Sequence, residues 1–143
     1  MAEQTFATHR RTVVGYHLVL SLLLLVTFIG ACINLVKSIG GTGLYSASLI
    51  LALTIVSVFL FVFSRTFALK AQDRAIRAEE QLRHYVLAGK LLDSRLSVKQ
   101  IVGLRFASDG EFVALARRAA DGNMNPEEIK KAVASWRADT YRA

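Results

Sequence analysis

Few side chains in this 143-residue chain are placed to do chemistry, and their spacing limits which chemistry is open. His17 falls about one turn inside a long apolar run, where an ionisable group is a functional candidate by default. At that depth its ring reaches headgroups or water, which accounts for it without a ligand. Two copies of His17 facing each other would offer a haem two axial ligands, but the apolar runs hold no second histidine, so no cofactor is expected. Cys32 is the lone cysteine, which excludes an intramolecular disulfide and a cysteine-built zinc site. His84 follows Glu80 by four residues and reads as part of a solvated helix face. No metal-ligand spacing, phosphate-cradling glycine loop or nucleophile elbow occurs. The expectation is therefore a non-enzymatic chain without a small-molecule substrate.

The elements that position these residues begin with two apolar runs, Val13 to Val36 and Leu44 to Phe63, of 24 and 20 residues without Asp, Glu, Lys or Arg. At ~1.5 Å per residue they make helices of roughly 36 and 30 Å, each enough to cross a hydrocarbon layer ~30 Å thick. Backbone in lipid must satisfy its own polar groups, and two lone spans cannot close a barrel, so both are expected to be helices. The glycine-rich connection 37–43 makes them antiparallel neighbours, a transmembrane hairpin. Arg10 and Arg11 precede the first span, only Lys37 lies between the two, and Arg65, Lys70, Arg74, Arg77 and Arg83 follow the second. That bias puts the N-terminal segment 1–12 and the C-terminus in the cytoplasm, with the loop outside. A rival reading takes Arg10-Arg11, the apolar stretch and Ile29-Gly30-Ala31-Cys32 as a lipoprotein signal ending in a lipidated cysteine. The 19 residues from Val13 to Ala31 exceed the ~7–15 of a signal's apolar region, which favours a retained span.

No Gly or Pro interrupts Ser64 to Ala88, so the second span is expected to run on as a stalk over 64–89. Ala68, Ala71, Ala75, Ala78, Leu82 and Tyr85 recur at 3, 4, 3, 4, 3, a heptad-like seam. Ala71, Ala75, Ala78 and Leu82 are its expected association positions. Arg65, Lys70, Arg74 and Arg77 are expected to meet anionic headgroups, at about 1 kcal/mol each, or simply to set topology.

The remaining 90–143 read as a small helical unit. Ser97-Val-Lys-Gln100 and Ser108-Asp-Gly-Glu111 fit the capping-box pattern, and Asn125-Pro126 sets an N-cap before a first-turn proline. Ile129, Ala132, Val133 and Trp136 form an i, i+3, i+4, i+7 stripe. Three helices in so few residues are too small to bury a core unaided, so they pack on the stalk, on a second copy or on a partner. A helix-turn-helix reading fails on charge: Asp109 and Glu111 open the would-be recognition helix, and from Ser97 onward 8 basic residues face 6 acidic ones.

Gln4-Thr-Phe-Ala-Thr-His9-Arg10, Phe67-Ala-Leu-Lys-Ala-Gln-Asp-Arg74-Ala-Ile-Arg77, Leu104-Arg105-Phe106-Ala107-Ser108-Asp109 and Trp136-Arg137-Ala-Asp139 are specific enough to compare. With them the chain resembles, over nearly its whole length, a family of uncharacterised small bacterial two-span inner-membrane proteins, a domain of unknown function. The resemblance implies a bacterial inner-membrane protein and nothing catalytic.

The expected architecture is all-α: spans over 13–36 and 44–63, the stalk, then three short amphipathic helices. The expected role is a membrane anchor whose stalk self-associates or docks and whose tail recruits a protein through Phe106, Phe112 and Trp136. The partners are anionic lipid and a second copy or larger membrane complex. An accessory subunit of a transport or envelope complex, with the hairpin as contact surface, is the alternative. A membrane-tethered nucleic-acid binder is the weaker one.

Overall fold

The computed structural model describes Phe6 and residues 13–139. Apart from Phe6, the N-terminal segment with Arg10 and Arg11 lies outside the described residues. These residues are all-helical, with five α-helices and no strands. The described residues divide into two compact units, 13–67 and 68–139 with Phe6.

In the first unit a π-helical start, Gly15–Leu20, leads into α1 (Ser21–Lys37), and α2 (Leu44–Ala88) begins after a short turn. The wide opening turn is met by side chains: the Ser21 hydroxyl donates to the Tyr16 carbonyl at 3.4 Å, and His17 Nδ1 accepts from the Val13 amide at 3.1 Å. Tyr16 stacks on Phe61 with ring centroids 4.4 Å apart and donates its hydroxyl to the Phe61 carbonyl. Ala31, Ala47 and Thr54 are the unit's buried residues, all small enough to let backbones approach closely. Thr54 returns its hydroxyl to the Ile50 carbonyl at 2.8 Å, which removes its polar cost. Two helices, Gly15–Lys37 and Leu44–Ala88, are long and apolar enough to cross a membrane. Only 6% and 11% of their most apolar windows are buried by protein, whereas a soluble protein's core helix is mostly covered.

α2 is 45 residues long because nothing in its interior breaks it. It stops where Gly89 takes a left-handed conformation (φ 68°), a region open to glycine at little cost, and donates its amide to the Tyr85 carbonyl at 2.8 Å.

In the second unit α3 (Val98–Leu104), α4 (Asp109–Asp121) and α5 (Pro126–Ala132) enclose a core of Leu96, Ile101, Leu104, Phe106, Phe112, Leu115 and Ile129. Two capping boxes form, Ser97 with Gln100 and Asn125 with Glu128. Gln100 does double duty, as its amide also donates to the Met124 carbonyl at 2.8 Å. α3 and α5 meet closely at Gly103, where a Cβ would stand 3.3 Å from the Pro126 carbonyl oxygen. Asn123, at φ 44°, makes the turn between α4 and α5.

The third capping box differs from expectation. Ser108 caps no helix amide with its side chain. Glu111 instead accepts the amides of Ala134 and Ser135 at 3.0 and 2.9 Å. That contact explains a second difference: α5 ends at Ala132, short of Trp136, because the backbone turns extended at Val133 (φ −70°, ψ 118°) to present those amides. Beyond it the chain runs antiparallel to 106–108, with Ser108 N–H bonded to Ser135 at 3.1 Å and Arg137 N–H to Phe106 at 2.7 Å. Trp136 therefore reaches the core from this short ribbon, tilted on Phe106 at 4.9 Å, and the expected four-residue helical stripe is split.

Candidate functional site

The functional geometry lies on the part of α2 beyond Ala68, whose two sides have opposite chemistry. One side is covered by the C-terminal helices and carries Ile76, Glu80, Arg83 and His84, with Ile76, Glu80 and His84 at 5–6% exposure. Burying charge here is tolerable because every polar group meets a partner. Arg83 donates from Nε to Asp109 at 2.7 Å, from Nη1 to Glu80 at 2.9 Å and from Nη2 to the Ala107 carbonyl at 2.7 Å. Its guanidinium also lies 4.2 Å from the centroid of the buried Phe112 ring. His84 meets the Lys90 carbonyl through Nδ1 at 2.7 Å and sets its ring edge-on to Phe112. Gln81 accepts the Leu92 amide at 3.0 Å. These bonds fasten the helical unit to the C-terminal part of α2, one of the options its small size left open.

This corrects two readings. Glu80 and His84 do not form a solvated pair: both are buried, and Glu80 pairs with Arg83. Phe106 and Phe112, expected to contact a partner, are 1% and 0% exposed and belong to the unit's own core. Trp136 is half-buried against Phe106. The apolar surface of Phe106 and Phe112 is used within the unit, while Trp136 keeps part of its ring exposed.

The other side of α2 holds the seam. Ala68, Ala71, Ala75, Ala78, Leu82 and Tyr85 are all exposed, Leu82 at 64% and Tyr85 at 55%. At 100° per residue the seam is centred about 150° around the helix from the face that Ile76, Glu80, Arg83 and His84 form. Of the basic cluster, Lys70, Arg74 and Arg77 are exposed and pair with no acid among the described residues, while Arg65 sits 5.8 Å from the Tyr16 ring centroid. His17 is exposed with Nδ1 held by its own backbone, and Cys32 is a half-buried free thiol.

Two further arginines form ion pairs. Arg95 joins Asp93 at 2.7 Å to Asp121 at 2.9 Å, and the Arg95 hydrogen bonds hold the Asp93 carboxyl down at about 2. Arg105 pairs with Asp139 at 2.9 Å and lies over the Phe106 ring. No group of three His, Cys, Asp or Glu among the described residues is arranged to hold a metal.

A family model matches residues 1–143, the whole chain. The chain belongs to DUF6526, a family of unknown function. Membership in DUF6526 assigns no activity, so function rests on the two-sided helix and the uncovered apolar helices. Neither a curated protein nor a solved structure matches the chain.

Sequence reasoning missed Arg83 as the fastener. The available signal was Ile76, Glu80, Arg83 and His84 at i, i+4, i+7 and i+8, one helix face mixing an aliphatic with charges. What satisfies those charges lies up to 26 residues away, at Asp109, and no local pattern reveals it.

Proposed function

We propose that the chain is a membrane-anchored helical interaction protein of the bacterial inner membrane, without catalysis of its own. The observation that supports it most is the bareness of the apolar helices: Leu18, Val26, Leu53 and Leu60 are each more than 60% exposed, a condition that lipid relieves and water does not. The two spans form a hairpin with both termini cytoplasmic. Arg65 and Lys70 lie two and seven residues past Phe63 and meet anionic headgroups first. Arg74 and Arg77 stand further along α2 and leave the stalk free to dock. The C-terminal unit stiffens the stalk from one side, so the exposed seam is the surface offered to a partner.

Alkaline washing of membranes and labelling with an impermeant maleimide test this in a Cys32→Ser background. The chain should stay in the membrane pellet. Ser38→Cys should react from outside intact cells, and Ala134→Cys only after permeabilisation. Release by alkali, or reaction of Ala134→Cys from outside, would overturn the proposal.

A further inference from the structure

We infer that the occupant of the exposed stalk face is a second copy of this chain, packed parallel and in register. The inference rests on the membrane-anchored reading above and names the partner of that surface. With Ala68, Ala75 and Leu82 at a and Ala71, Ala78 and Tyr85 at d, the 3-4 spacing matches a two-stranded coiled coil. The large exposed members, Leu82 and Tyr85, close the seam, with Tyr85 four residues before Gly89 ends the helix. The C-terminal unit covers the opposite side and borders the seam at one edge, where Arg137, Ala138 and Asp139 share a cavity with Ala75 and Glu79, while Ala71, Ala78, Leu82 and Tyr85 stay exposed.

Charge complementarity selects the occupant and its direction. Arg74 falls at g and Glu79 at the following e, five residues on, which is the pair that faces across a parallel two-stranded seam. Two-fold symmetry makes the contact twice, Arg74 of each copy to Glu79 of the other. Both residues are exposed, and neither forms an ion pair among the described residues. Glu79 leaves Arg83 to its neighbour Glu80, which keeps Glu79 available. An antiparallel arrangement would set Arg74 against Arg74 and Glu79 against Glu79. Spans inserted with one topology impose the parallel choice. Confinement to one bilayer also raises the effective concentration of copies, which an alanine-rich seam of this length needs.

The test uses the full chain in native membranes on a Cys32→Ser background. Single cysteines at Ala71, Ala75, Ala78 and Leu82 should form disulfide dimers on mild oxidation, while Arg77→Cys, also exposed but off the seam, should not. Arg74→Glu alone and Glu79→Arg alone should each lower crosslinking at Ala75→Cys by about fivefold, since two like-charge contacts replace two pairs. Coexpression of the two charge variants should restore it as a mixed dimer. Equal crosslinking at Arg77→Cys and the seam, or no effect of the charge changes, would overturn the inference. If the chain resists alkaline washing but the seam cysteines stay open to maleimide and uncrosslinked, the dimer fails and the anchor stands. If the seam is blocked to maleimide without crosslinking, a different protein occupies it and the dimer again fails. Loss of the chain from the alkaline-washed pellet sinks the anchored reading itself.

Discussion

Arg83→Met should loosen the C-terminal unit from the stalk by about 3–5 kcal/mol, the range for removing one partner of a buried ion pair. The magnitude follows from what is left behind. The Glu80 side chain is 7% exposed and loses its ion pair with Arg83, and the Ala107 carbonyl loses a 2.7 Å bond. Asp109, 69% exposed, recovers water and contributes little. Methionine keeps an unbranched stem against Phe112 but not the cation over its ring, itself worth up to about 2 kcal/mol when desolvated. Against a domain stability of about 5–15 kcal/mol, such a loss is large. Trp136 is the sole tryptophan and sits in this unit, so its fluorescence during guanidinium unfolding in detergent reports the loss without interference from the spans. Arg83→Met combined with Glu80→Met should recover at least half of it, because removing both partners leaves no orphaned charge. An unfolding midpoint for Arg83→Met equal to that of the native chain would refute the reasoning. So would a double variant no more stable than the single one.

Two further predictions concern the tail. Burial pushes the Glu111 carboxyl up, but the amides of Ala134, Ser135 and Ser108, with the Ser108 hydroxyl, outweigh it and hold the group below its ordinary 4.5. A depressed folded value means the stabilisation is full above pH 4.5 and is lost as pH falls through that lower value. The Trp136 signal should therefore weaken on acidification through that window, and Glu111→Gln should start less stable and respond less; an unchanged acid limb in Glu111→Gln would contradict the assignment. Asn125→Ala removes an oxygen that accepts the Glu127 and Glu128 amides, both at 3.0 Å, and should cost about 1–2 kcal/mol in the same unfolding assay.

Local signals carried the parts of this fold that local physics decides. The apolar runs, the absence of breakers up to Ala88 and the caps at Ser97 and Asn125 each act within a few residues, and each is visible in the sequence. Ser108-Glu111 has the same pattern as the capping box that forms at Ser97-Gln100, yet the Ser108 side chain caps no amide and Glu111 also holds backbone amides 23 and 24 residues away. The same long-range competition ends α5 before Trp136. Phe106 and Phe112 looked available because aromatic residues serve cores and interfaces equally well, and only packing distinguishes the two uses. The stalk was hardest to read: its alanine seam advertises contact, while the side that is covered is written in Glu, Arg and His.

That division has a consequence for specificity. Grease sticks to grease without discrimination, so a helix apolar all round would let its own tail and an incoming neighbour contend for the same surface. Here the tail docks by matched ions that no alanine row can imitate, and the alanine row offers nothing to those ions. Folding on one side, and the association proposed for the other, are thereby kept from trespassing on one another.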